Sequence, residues 1–241
     1  MANVIDVIIV LTLIMGVVLG YKSGFFKSSI EAIGAIAAVI LSFYLKNLLA
    51  PILFKFCPFF HFSGEFKGLT VLNIILYEVI AFLIIFALLI IVVKVLVELS
   101  EKFEKVLDFT IILGIPSKIL GGVFGFIEAY CIVFILLFVF AQLSFSAIVL
   151  HDSKLTNPIL SHTPLLSNIT NNSYSAFKEV YNMRKKYRNN KDIEGYNLAS
   201  LDVMLKYEIV TVDDVKDLKN RGKLQIKGID NVINKYEVEN D

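Results

Sequence analysis

This sequence predicts an all-α polytopic membrane protein, a bundle of four transmembrane helices with a small helical C-terminal extension. Three observations carry that reading. Four long apolar runs fill the first 145 residues. Each is about as long as the ~20 residues a helix needs to cross ~30 Å of hydrocarbon. The chain is 56% hydrophobic with a mean hydropathy of +0.72, well above an ordinary soluble domain. The runs also lack the polar stripe of a soluble core helix, and Ala81–Val93 holds no polar residue at all. Inside lipid every backbone amide must find its partner within the segment, so such runs have to be helices.

The expected organisation is a transmembrane domain over 1–148, with helices at about 4–21, 30–49, 69–97 and 119–143. A linker over 149–172 and a helical extramembrane tail over 173–241 follow. The first run carries Asp6, lacks a basic leader and ends in Gly-Tyr-Lys, so it reads as a retained helix rather than a cleaved signal. Between runs two and three, Pro51 to Gly68 is rich in Phe and reads as a loop at the membrane interface. Val97–Asp108 reads as a charged helical continuation of run three, with Glu98 and Lys102 one turn apart. Residues 109–118 then turn the chain, marked by Gly114 and Pro116. In the tail, Ser175–Arg188 is helical in pattern, and its Arg184-Lys185-Lys186 cluster suits a solvated face or anionic headgroups. Leu198, Leu201 and Leu205 form a further helical stripe; Thr211 and Asp214 form a capping pattern, and Gly222 is a stop.

Water does not drive helices together in a bilayer, so close backbone contact through small residues has to contribute. Gly16, Gly20 and Gly24 form such a stripe on the first helix. Gly34, Ala38 and Ser42 repeat it on the second, and Gly121, Gly125 and Ala129 on the fourth. Helices one, two and four are therefore expected at the tight centre. Ionisable residues in the runs, Asp6, Glu31, Glu78, Lys94 and Glu128, are costly in hydrocarbon unless paired or hydrated. Asp6, Glu31 and Glu128 share the small-residue faces, and Lys94 belongs to the same half of the membrane as Glu31 and Glu128. These residues read either as a polar pathway or as side chains that snorkel to water.

Charge excludes a bulk nucleic-acid binder: residues 1–150 hold nine charges of each sign, and 151–241 hold fourteen basic and thirteen acidic residues. Lys22, Lys27, Lys94, Lys102, Lys105 and Lys118 fall on one side of the membrane, against Lys46, Lys55, Lys67 and Lys154 on the other. That balance leans toward both termini outside the cytoplasm. No phosphate-binding glycine loop or nucleophile elbow appears. His61, His151 and His162 are scattered, and Cys57 and Cys131 form neither metal spacing nor a disulfide framework. No enzymatic activity, cofactor or metal is expected.

The start of the chain, Ile5-Asp6 and then Gly20-Tyr21-Lys22-Ser23-Gly24-Phe25, resembles the opening of the CvpA (colicin V production protein) family. Gly34 in the second run, and Leu120-Gly121-Gly122-Val123-Phe124-Gly125-Phe126 at the start of the last, extend the resemblance over residues 1–145. Leu201–Ile226 is similar to an extension in relatives from low-GC Gram-positive bacteria. Glu128 departs from the pattern, since many relatives carry a basic residue nearby. The resemblance implies a four-helix protein of the bacterial inner membrane, linked to colicin V production or export and to envelope integrity. Two functions are then expected. One is a scaffold that contacts the bilayer and docks an envelope partner through its tail. The other is a small proton- or ion-coupled transporter using the intramembrane acids, which with only four helices would need a homo-oligomer.

Overall fold

The computed structural model describes residues 4–107, 114–142, 153–164, 166–189 and 191–238. Four helices are long and apolar enough to span a membrane: α1 (Val4–Ser23), α2 (Phe25–Phe56), α3 (Leu72–Leu107) and α4 (Gly114–Gln142). Among the described residues five shorter α-helices follow: α5 (Thr156–His162), α6 (Leu166–Asn189), α7 (Ile193–Lys206), α8 (Val212–Asn220) and α9 (Ile229–Val238). No strand occurs among the described residues. The expected turn at 109–118 falls partly on residues 108–113, and Leu143 and His151 fall in 143–152; both stretches lie outside the described residues.

Several helices run past the apolar segments that announce them. Only Gly24, at φ +81°, separates α1 from α2; that left-handed turn favours glycine. At 1.5 Å per residue, α2 is about 48 Å long and outruns the hydrocarbon layer. It carries Pro51 inside, where the sequence suggests a loop, and continues for five more residues. Contacts hold those last turns. Phe54 is buried, and the Lys223 ammonium donates to the carbonyls of Phe54 and Cys57 at 3.0 and 2.8 Å. Pro116 does not end a turn but sits in the first turn of α4, where its missing N–H costs no helical bond. Residues 156–162 and 166–189 are helical, including much of the stretch expected as a linker.

The chain divides into two compact bodies, Met1–Leu45 with Phe82–Asn168 and Lys46–Ala81 with Ile169–Asp241, so α2 and α3 contribute to both. In the first body α1 and α4 meet backbone to backbone. A Cβ on Gly20 would strike the Gly121 carbonyl and the Gly125 backbone, and one on Gly16 would strike Gly125 and Ala129. Ser28 donates to the Gly20 carbonyl at 3.2 Å, and Ser117 on α4 accepts from the Phe25 amide at 3.1 Å, so the α1–α2 turn is held from both sides. Gly34 faces Val93 of α3. Phe43, Phe82 and Phe138 meet edge to face at 5.9–6.3 Å and tie α2, α3 and α4 together.

In the second body the tail shares one core with the α2–α3 hairpin. Phe54, Leu69, Val71 and Ile74 of the hairpin are buried, as are Val180, Leu201, Met204, Leu218 and Leu224 of the tail. Asn197 on α7 donates to the Gly68 carbonyl and accepts from the Val71 amide, holding the start of α3. From Val71 to Phe82 almost every α3 residue is buried, whereas Leu83, Ile84, Leu88, Ile91, Val92, Val95 and Leu96 are exposed apolar residues for lipid to cover. The first three turns of α3 are therefore wrapped in protein. Thr211 caps α8 by accepting from the Asp214 amide at 3.1 Å, and Gly222, at φ +69°, follows its end.

The tight seam makes a specific forecast. Gly20→Ala or Gly125→Ala should each destabilise the protein by about 1–3 kcal/mol through overpacking. Gly122→Ala, whose new methyl meets only ordinary contacts at 3.4 Å and beyond, should stay within about 0.5 kcal/mol of wild type. Thermal unfolding in detergent, comparing the three variants, measures this.

Candidate functional site

Among the described acids in the apolar helices, Glu78 is the most enclosed. It sits on the wrapped part of α3, with 6% of its surface exposed, and makes an ion pair with Lys46 of α2, itself 5% exposed. Lys46 lies near the end of the second apolar run, where sequence reading assigns it to the following loop. Antiparallel folding about the middle of the 57–71 connection would set Lys46 opposite residue ~82, one helical turn from Glu78. That arithmetic was the available signal. A charge pair continues the site outward: Lys55 holds Asp214 at 2.8 Å and Asp217 at 3.7 Å, and Asp217 also accepts from Arg221 at 3.0 Å. Lys46–Glu78 and the Lys55–Asp214–Asp217–Arg221 cluster are thus two separate sets of paired charges. Nearby, burial holds the Lys223 ammonium below the usual lysine range.

Asp6 has a different task. Its carboxylate accepts from the Ser153 hydroxyl at 2.6 Å and from the amides of Leu155 and Lys154 at 3.2 and 3.3 Å. Ser153 in turn accepts from the Thr156 amide and hydroxyl at 3.1 and 2.8 Å. Asp6 therefore ties the start of α5 to the first turn of α1. Tyr130 of α4 holds the other end of α5, sharing a 2.7 Å hydrogen bond with Thr163. The carboxylate also sits where the positive end of α1 favours it.

The remaining intramembrane residues are arranged otherwise. Glu31 and Glu128 are both half-buried. Lys94, expected in the same half of the membrane as Glu31 and Glu128, is exposed. Gly16, Gly20, Gly121 and Gly125 line the α1–α4 seam; Gly24 makes the turn, and Gly34 meets α3. Ala38 is buried, and its carbonyl accepts from Ser42. No group of three or more His, Cys, Asp or Glu that could hold a metal ion occurs among the described residues.

Residues 5–164, spanning α1 to α5 with Asp6 and its partners, match the family model described as colicin V production protein. The chain belongs to the colicin V production protein family. It is also similar to a protein of Bacillus subtilis (strain 168) named "Uncharacterized transmembrane protein YshB". The two are 30% identical over 184 residues, covering 72% of this chain and 98% of that protein. No solved structure matches the chain. The colicin V production protein match ends at Pro164, so the Asp6–α5 tie lies within it, whereas Asp214, Asp217 and Lys223 lie beyond.

Two measurements follow from these sites. Lys46→Met strands a buried carboxylate and should cost about 3–5 kcal/mol, while Lys46→Met with Glu78→Met should recover most of that loss. Chemical unfolding of both variants in detergent separates a structural pair from two independent charges. Asp6→Ala should release α5, raising thiol-reagent labelling of a cysteine introduced at buried Leu160 several-fold. Asp6→Asn, which keeps one acceptor oxygen, should fall between Asp6→Ala and wild type.

Proposed function

We propose that this chain is a multi-pass protein of the bacterial cytoplasmic membrane that supports production or export of a colicin V-type toxin and envelope homeostasis. It acts as a scaffold without catalytic turnover of its own. Both termini face outside the cytoplasm, and the tail offers a docking surface to an envelope partner. The observation that carries this reading is the enclosure of the Lys46–Glu78 pair: the most buried acid of the spans is already answered by a cation inside a protein-wrapped site. Asp6 is similarly engaged in holding α5. Family membership supplies the toxin and membrane context.

A second reading, a small proton- or ion-coupled transporter, draws support from Glu31 and Glu128. Both are half-buried acids within apolar helices, where an ionisable group is costly unless it serves a purpose. Complementation of a deletion strain, scored by toxin export and envelope integrity, distinguishes the two. The scaffold requires that Glu128→Gln, and the double change Lys46→Met with Glu78→Met, restore function to about wild-type level, while Gly20→Leu does not. Loss of function in Glu128→Gln, with the protein present and folded at wild-type amount, would replace the scaffold by the transporter. Paired reporters fused to the C-terminus, one active only in the cytoplasm and one only outside, test the orientation; a cytoplasmic tail overturns that part of the proposal.

A further inference from the structure

The tail is almost neutral in total, yet its charge is sorted by place. One face of α6 presents exposed Lys178, Lys185 and Lys186, with Arg184 laid over the Tyr181 ring at 3.5 Å. Glu179, the acid on this helix, is engaged by Lys206 at 3.2 Å. This basic face borders a groove of about 500 Å³ whose apolar walls include Met183 and Tyr207. The next residue along the chain, Glu208, lines a second and larger cleft of about 850 Å³. Its lining combines Leu205, Val210 and Tyr236 with the carboxylates of Glu208, Asp213 and Glu237, against the single ammonium of Lys216, which pairs with Glu237. A basic groove and an acidic cleft therefore flank one turn.

That turn is fixed rather than free. Glu208 holds φ +56°, a left-handed conformation that a residue with a side chain adopts at a cost. The Glu208 amide donates to the Leu205 carbonyl at 3.0 Å, and the Ile209 amide to the Met204 carbonyl at 2.8 Å. The geometry assigns this surface to a second copy of the same chain. A two-fold axis passing near Tyr207 and Glu208 sets the basic groove of each copy against the acidic cleft of the other, making two identical contacts at once. Neighbouring patches of opposite sign are what an isologous interface needs. A partner of one sign, such as an anionic membrane surface or a purely basic peptide, would satisfy only half of the surface.

Light scattering of the full chain in detergent, across ionic strength, tests the interface. Dimers are expected at about 0.05 M salt and should weaken at about 0.5 M, where screening shortens the reach of charge below 10 Å. Reversing the groove (Lys178→Glu with Lys186→Glu) or the cleft (Glu208→Lys with Asp213→Lys) should weaken dimerisation by about tenfold or more. Because the contact is reciprocal, mixing the two variants should restore a heterodimer. Combining all four changes in one chain should restore the homodimer, which also shows that the variants remain folded. A wild-type chain that is monomeric at low salt overturns the proposal, and so does failure of the mixture and the fourfold variant to recover. An effect of the groove reversal alone, with binding to phosphatidylglycerol vesicles lost in parallel, overturns it in favour of a lipid surface.

Discussion

Backbone contact between α1 and α4 is the constraint on which the first body depends. Hydrocarbon gives two apolar helices no reason to associate, so attraction has to come from close packing and from polar groups with nowhere else to go. Glycine at 16, 20, 121 and 125 brings main chain against main chain. Once that distance is set, other contacts come within reach: Ser117 meets the first amide of α2, and Ser28 meets the Gly20 carbonyl. The Phe43–Phe82–Phe138 cluster then fills the wider spaces that larger side chains leave.

The second body is held by a different balance. Its core is of the water-driven kind, with Phe54, Leu69, Val71, Leu201, Met204, Leu218 and Leu224 buried together. Polar groups set its register. Asn197 fixes the start of α3, Lys223 closes the end of α2, and Lys55 positions α8 through Asp214 and Asp217. Inside this frame a charged pair at Lys46 and Glu78 is tolerable, because each removes the other's need for water. A tail too small for an independent core gains one by borrowing two ends of transmembrane helices.

The four spans, the Gly16–Gly20 and Gly121–Gly125 spacings and the Thr211 cap were legible because each rests on local pattern: uninterrupted apolar length, four-residue spacing, or a hydroxyl three residues before an acid. The helical continuation of α3 to Leu107 was legible for the same reason, from Glu98 and Lys102. What was not legible depended on long-range partners. Lys46 looks like a loop lysine until α3 is folded back beside it. Pro51 looks like a helix end until Lys223, more than 160 residues away, supports the turns beyond it. Asp6 looks like an intramembrane acid until Ser153 and Leu155 arrive from the far side of α4. Periodicity carries no information about such meetings.

The wrapping of α3 from Val71 to Phe82 has a consequence for biosynthesis. Asn197, whose side chain holds the Val71 amide, is encoded more than a hundred positions later. At roughly 5–20 residues per second of synthesis, a ribosome needs on the order of ten seconds to deliver it. Until then Glu78 has Lys46, and Asn73 has the Phe60 and Thr70 backbone, as partners from the hairpin itself. Insertion and completion of this protein are therefore separate events in time. A chain cut short before the tail emerges would lack the Asn197 side chain that accepts from the Val71 amide, leaving the start of α3 open, a lesion that proteolytic surveillance is well placed to read.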